Sequence, residues 1–255
     1  MNTTTKAIMP TTTRSQGRVQ LYQPTQRPTR RAGSWQESSW GRVRVSGRLG
    51  QRHADLVESI CACAIARREI ADGGLELLVD PHQVRRVLAG GRGQYSAEQM
   101  AVLLADLRAV VVELETPAMG GERAIGGLVD HWLPDGGAAR DPLTGTTRQL
   151  WRVRLGALLV ELLRHDAAIW RDPAPIAALR SGVSQAVARH ILTHQGQPQG
   201  GWRLDGLLDA VGVATGSEAR RKARSRVRGD LDGLAGLGIV IDGDRVRLAD
   251  AENRA

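Results

Sequence analysis

The chain has 255 residues, of which 42% are hydrophobic and 24% charged, and its 35 basic against 27 acidic residues give a net charge of +8. That is one large domain or two small ones with enough apolar residues to bury a core. No run approaches the ~18 apolar residues of a membrane span, the opening MNTTTKAIMPTTTRSQ lacks a signal-peptide core, and Cys61 and Cys63 sit too close along one expected helix to bridge. A soluble, cytoplasmic, basic protein is the expectation.

Residues 1–36 contain no acid and carry Lys6, Arg14, Arg18, Arg27, Arg30 and Arg31. The segment is rich in Thr, Gln, Ser and Pro, so it offers too little apolar surface to offset its ordering entropy. It reads as a disordered basic arm, assigned to 1–40, that adds phosphate affinity. A dispensable tail and a transit peptide are the alternatives, and Pro24 and Pro28 spoil the amphipathic helix a transit peptide needs. GRVRVSG at 41–47 alternates as a strand, and a helix is expected over 51–68, ended by Gly73-Gly74. Leu75–Val79 is a strand. Asp80-Pro81 opens a helix through Leu88, and Ser96 with Gln99 forms a capping box for a helix to about Arg108. VVVELET at 110–116 is a strand, with Ala124–Trp132 as its return. This order predicts a winged helix-turn-helix domain over 41–145.

The second half is expected to repeat the plan over 146–255. It has a strand at 149–155, helices near 157–164, 176–179, 184–194 and 204–211, and a Ser217-capped basic helix, SEARRKARSRVRGDLDGLAGLG. It ends in a hairpin, GIVIDGDRVRL, turning at Asp242-Gly243. The predicted fold class is therefore α+β, mainly helical, with two tandem winged-helix domains after a disordered basic arm.

The strongest chemical signal is that basic helix. At 100° per residue Ala219, Ala223, Val227, Leu231 and Leu234 form a buried arc. Arg221, Ser225 and Arg228 point away from it, with Lys222 and Arg224 on the flanks. Arg220 and Arg226 lie nearer the buried edge, where Arg226 is in reach of Asp230. A helix so placed before a hairpin can enter the major groove, its arginines reaching guanine edges or phosphates. Ser217 and the helix N-terminus suit a phosphate, and Arg245 and Arg247 make a basic wing. The bland alternative is a solvated basic face. In the first unit the corresponding helix offers only Glu98, Gln99 and Arg108, so it reads as a pairing module. Arg92, Gln94 and Tyr95 in the preceding turn are auxiliary phosphate contacts.

Catalytic signals are weak. His190 and His194 are i and i+4, a spacing that can bind metal, but no Glu follows His190 and no third ligand is apparent, so a surface helix is expected. There is no phosphate-binding GxxxxGK[ST] loop. No enzyme activity, cofactor or metal is expected.

The chain, over roughly 41–250, resembles the replication initiator (Rep) proteins of broad-host-range plasmids, the iteron-binding type with two winged-helix domains. The likeness rests on LWRVRL, SQAVARHILTH, WRLDGLLDAVG, the basic helix and the hairpin, and on GRVRVSGRLGQRHADLVESICACA at the start. The sequence departs in having no Phe and a poorly charged first recognition-type helix. The resemblance implies binding of double-stranded DNA at repeated origin sites, local strand opening and contacts with a host initiator and helicase. It further implies a monomer–dimer equilibrium, plasmid copy control and a nucleoid- or plasmid-associated location. By position it puts Arg220, Arg221, Lys222, Arg224 and Arg228 on the reading helix and Arg245 and Arg247 on the wing. A winged-helix repressor bound to an operator is the runner-up, and an RNA-associated basic protein the third reading.

Overall fold

A computed structural model of the protein describes residues 5–6, 9–91, 95–140 and 145–249. The chain opens with β1 (Thr5–Lys6), β2 (Thr12–Thr13) and the short helix α1 (Arg14–Arg18), followed by a hairpin of β3 (Arg31–Ser38) and β4 (Gly41–Gly47). Next come α2 (Gln51–Ala62), β5 (Ala64–Glu69), β6 (Leu75–Val79), α3 (Pro81–Ala89), α4 (Ala97–Ala109) and β7 (Val111–Glu115). The middle of the chain is β8 (Arg123–Gly126), β9 (Val129–Leu133), β10 (Ala138–Arg140), β11 (Thr147–Gln149), β12 (Trp151–Leu155), α5 (Ala157–His165) and β13 (Ala168–Ile169). The last part holds α6 (Ala174–Ala177), α7 (Gly182–Ile191), β14 (Trp202–Arg203), α8 (Leu204–Ala210), α9 (Ser217–Arg228), α10 (Leu231–Ala235), β15 (Ile239–Asp242) and β16 (Arg245–Leu248). The fold class is α+β as expected, but with 38% helix against 29% strand it is not mainly helical.

Local signals account for several of these elements. Asp80 Oδ1 accepts from His82 N–H at 2.8 Å, with Pro81 in the first turn of α3. Ser96 and Gln99 cap α4 reciprocally, at 2.9 and 3.0 Å. Each satisfies amides that a helix start leaves open. The helix expected over 51–68 ends at Ala62, because residues 64–69 leave it to pair with β6. The expected return strand 124–132 is two strands, β8 on β7 and β9 on β12, which belong to different sheets.

Two hydrophobic cores divide the molecule. The first includes Leu56, Leu77, Leu104, Leu114 and Leu158, around antiparallel sheets in the orders β1-β5-β6-β12-β9 and β3-β4-β7-β8. The second includes Ile176, Val187, Leu208, Val227 and Val246, closed by the small sheet β14-β16-β15. The strand expected to open the second unit at 146 is thus in the first body. β12 pairs with both β6 and β9, and α5 packs Leu158, Leu159 and Leu162 into the first core. Alternation along one strand reports its two faces but not its partners, which is why the boundary moves toward α6. The first body's α3, α4 and β7–β8 follow the expected order. Their hairpin, however, belongs to a sheet with β3 and β4, and the second sheet has no counterpart in the predicted plan.

The arm expected to be disordered over 1–40 is, from Met9 onward, a strap joined to both bodies. Met9, Val19, Leu21 and Tyr22 are buried in the first core. Ser15 N–H donates to Asp166 Oδ2 at 2.6 Å, and Arg18 donates to Thr193 Oγ1 and Thr193 O at 3.1 Å each. Gln26 reaches Leu179 O and Gln185. Gly17 lies so close to α7 that a Cβ there would sit 2.4 Å from Thr193 Cγ2 and 3.1 Å from Arg189 O. Few apolar residues suffice here because the strap is covered from two sides. Three of its charges are also engaged, since Arg18 and Arg14 lie over the Trp40 ring at 4.5 and 5.7 Å and Arg31 donates to Gln20 O and Leu21 O, while Arg27 and Arg30 are exposed.

Beneath the strap the two bodies meet through buried charges. Arg189 of α7 donates to Asp55 Oδ1 (2.5 Å) and Glu58 Oε1 (3.1 Å) of α2, and Arg171 reaches Glu58 Oε1 at 2.5 Å. Burial pushes the Asp55 carboxyl up against the pull of Arg189 and Arg52. Glu58 is equally desolvated, but Arg171 and Arg189 together hold it below its ordinary range. Such a cluster fixes one relative arrangement of the bodies, because parting them strands unpaired charge.

Candidate nucleic-acid interface

The helix α9 is the basic segment singled out from the sequence, and its buried stripe is Arg220, Ala223 and Val227. It is shorter than the amphipathic pattern predicts. It stops at Arg228, and Leu231 is 42% exposed and not part of the buried arc. Asp230 explains the break. Its carboxylate accepts the backbone N–H groups of Arg180 and Ser181 at 2.9 Å each, at the start of α7, and so is not the partner expected for Arg226. Leu234 reaches the second core from the separate turn α10.

The arginines of α9 sort into two groups. Arg220 is 9% exposed and built into the fold. Its guanidinium donates to Asp205 O at 2.9 Å and Ala214 O at 3.2 Å and is ion-paired with Asp209. Arg224 makes a bidentate pair with Asp205 at 2.8 and 2.5 Å, which holds that carboxyl below its usual range. Both arginines therefore tie α9 to α8, Arg220 from a buried position and Arg224 with a side chain still 42% exposed. Lys222 is exposed and pairs with Glu218 at 2.6 Å, one turn back. Arg221, Ser225, Arg226 and Arg228 are exposed. Among the described residues Arg221 and Arg226 make no hydrogen bond or ion pair, and Arg228 reaches only Gly243 O at 3.5 Å. Ser217 is the first residue of α9 and not its cap. Gly216 holds that position, accepting Arg220 N–H at 3.0 Å, and has no side chain to cap with.

The terminal hairpin adjoins this helix. Its register, Ile239↔Leu248 and Ile241↔Val246, puts the apolar residues on one side as the alternation predicts. The turn is Gly243-Asp244, one residue later than expected, with Gly243 at φ 59°. Arg245 and Arg247 are exposed on the other side. Arg203 of β14 pairs in register with Arg245 and joins them, a residue sequence reasoning missed because only the β14–β16 pairing brings it there. The side chain of Gln197 continues the sheet in place of a longer strand. It donates to Leu248 O at 3.3 Å and accepts Leu248 N–H at 2.8 Å.

Of the auxiliary residues, Tyr95 is not brought into this face. Tyr95 is half-buried with Arg52 over its ring at 6.0 Å, and burial raises its phenol. Arg92 and Gln94 lie outside the described residues. His190, expected on a helix surface, is buried. Its Nδ1 lies 3.2 Å from Gly17 O, its Nε2 lies 3.4 Å from His194 Nε2, and His194 meets the edge of Trp202. Burial pushes both imidazoles down to about 4, with Arg18 adding to the effect at each.

In the first body Arg48, Arg67, Arg86 and Arg108 are exposed and lie scattered over several elements. Its half-buried arginines stand beside acids, Arg42 with Glu115, Arg44 with Glu113, Arg152 with Asp135, and Arg154 with Asp72 and Asp130. The outer side of α9 and the hairpin lacks that compensation at Arg221, Arg226, Arg245 and Arg247.

No family model matches this sequence, and no curated protein matches it. Among solved structures, the fold is similar to that of the crystal structure of selenomethionine derivatives of domains 2 and 3 of RctB. The TM-score is 0.56 over 89% of this chain and 91% of that one, at 9% sequence identity. The two chains thus share an α+β fold over nearly their whole lengths. No helix among the described residues is long and apolar enough to cross a membrane.

Proposed function

We propose that the chain is a duplex-DNA-binding protein of the replication-initiator type, with residues 176–248 acting as a winged helix. The observation that carries this reading is the exposed arginine face formed by Arg221, Arg226 and Arg228 of α9 with Arg245 and Arg247 of the hairpin sheet, beside which Arg203 is ion-paired with Asp244 at 3.7 Å. α9 enters the major groove, where Arg221 and Arg228 reach guanine edges or flanking phosphates. The hairpin lies over the adjoining backbone. Fold likeness to two domains of RctB, a replication initiator, supports the class. Binding to plasmid iterons, strand opening, recruitment of host replication proteins and monomer–dimer exchange extend the reading through the family resemblance alone. The protein acts in it by binding, with no chemical step of its own.

Footprinting on the DNA flanking the protein's own gene tests this at near-physiological salt. Evenly spaced protection over direct repeats, beside hypersensitive bases in an AT-rich stretch, is the expected result. Protection of a single palindrome over the promoter would make the protein a repressor. A preference for RNA over duplex DNA would overturn the reading altogether.

A further inference from the structure

We propose that His190 and His194 form a two-imidazole site for a tetrahedral transition-metal dication, zinc by its geometry, at the join between α7, the strap and the hairpin sheet. The inference starts from the tautomer of His190. The carbonyl of Gly17 can only accept, so Nδ1 carries the proton in the 3.2 Å contact and Nε2 presents a lone pair. That nitrogen is 3.4 Å from His194 Nε2. A backbone carbonyl on the outer nitrogen is also the usual support that orients a metal-binding histidine.

The 3.4 Å separation of the two nitrogens suits tetrahedral coordination. A metal about 2.05 Å from both would subtend an angle of about 112°, close to the tetrahedral value, at ordinary zinc–imidazole bond lengths. Ions that prefer right-angled neighbours at similar bond lengths, such as nickel or copper(II), need the nitrogens about 2.9 Å apart. The rings are already held in place, His190 by Gly17 O and the surrounding core, His194 by the Trp202 ring at 5.4 Å. His190 is the buried ligand and His194 the half-exposed one through which the ion enters. Water or an anion fills the remaining positions. Arg14 and Arg18 of α1 are the charged groups on this pair, and their positive charge opposes a bare dication. The affinity is therefore weaker than that of a closed four-ligand site.

The ion would staple the last turn of α7, since His194 lies just past its end and donates its backbone N–H to Ile191 O. Through Trp202, which pairs with Val246 of β16, it would also brace the hairpin that flanks α9. The site is therefore placed to stiffen the proposed DNA-binding face without touching DNA. It stands on its own geometry and does not depend on that reading.

Calorimetric titration of the chelator-stripped full chain with zinc chloride tests the site. One ion per chain is expected, with affinity falling at least tenfold in His194→Gln and unchanged in His82→Gln and His165→Gln. His194 is outside the core, so the variant should keep the wild-type circular dichroism spectrum. Cobalt(II) added to the wild type should give the intense visible absorption of tetrahedral coordination. Zinc binding that survives His194→Gln, absence of binding up to millimolar zinc, or a pale six-coordinate cobalt spectrum would each overturn the proposal.

Discussion

Arg220 and Arg221 are neighbours in the most basic stretch of the chain, yet replacing each with alanine should do opposite things. Arg220 makes two hydrogen bonds to carbonyls, Asp205 O at 2.9 Å and Ala214 O at 3.2 Å, and an ion pair with Asp209, while 9% exposed. Hydrogen bonds from a charged donor contribute about 1.5–3 kcal/mol each. Asp209 is 60% exposed, so water replaces much of that partner. The net cost of Arg220→Ala is then about 2–4 kcal/mol. In a chain of this size that lowers Tm by roughly 5–12 °C. Stabilities are typically about 5–15 kcal/mol, so the variant stays folded at room temperature and keeps most of its DNA affinity. Arg221→Ala removes an exposed, unpaired side chain and should leave stability within about 0.5 kcal/mol. If Arg221 reads a guanine, cognate affinity falls by about 1–3 kcal/mol and one base position relaxes. If it contacts a phosphate, all sequences weaken alike and the salt slope flattens by about one. Calorimetric melting of both variants beside a salt series of cognate and scrambled DNA titrations decides the matter. An unchanged Tm for Arg220→Ala together with lost DNA binding would refute the division of the helix into a fold-building and a DNA-facing side.

The buried cluster between the bodies makes a second prediction. Arg189→Met leaves Asp55 and Glu58 facing each other without their shared partner and should cost about 3–5 kcal/mol, read as a lower urea midpoint. A change under about 1 kcal/mol would show that the cluster does not hold the bodies together. A third concerns acid. His53 Nδ1 accepts Gly50 N–H at 3.1 Å where α2 begins, so its Nε2–H faces Asp106 at 3.3 Å, and burial lowers its pKa despite that carboxylate. The folded state thus binds this proton less readily than the unfolded chain, whose histidine titrates near ~6.5. The stability it confers is present above that value and is lost as pH falls below it. His53→Gln should therefore flatten the fall of Tm between neutral and mildly acid pH, and identical profiles for variant and wild type would count against this account.

Much of the molecule is legible in the sequence. The caps at Asp80 and Ser96, the strands at 43–45 and 75–79, the basic helix and the alternation along the terminal hairpin follow from local pattern, because each is set by residues a few positions apart. The hairpin register, by contrast, differs from the one a turn at Asp242-Gly243 implies. The end of α9 was missed because Asp230 is claimed by amides some fifty residues earlier in the chain. The strap was missed for a similar reason. Its composition resembles that of a disordered segment, and only two opposing surfaces make Leu21 and Tyr22 worth burying. The sequence by itself therefore determined the local elements and the concentration of arginine on one helix. Tertiary structure decided which strands share a sheet, where one core ends and the next begins, and which arginines are engaged by carboxylates. The physical reason is that periodicity and capping are short-range, whereas pairing partners and charge compensation depend on what the rest of the chain brings to the same place.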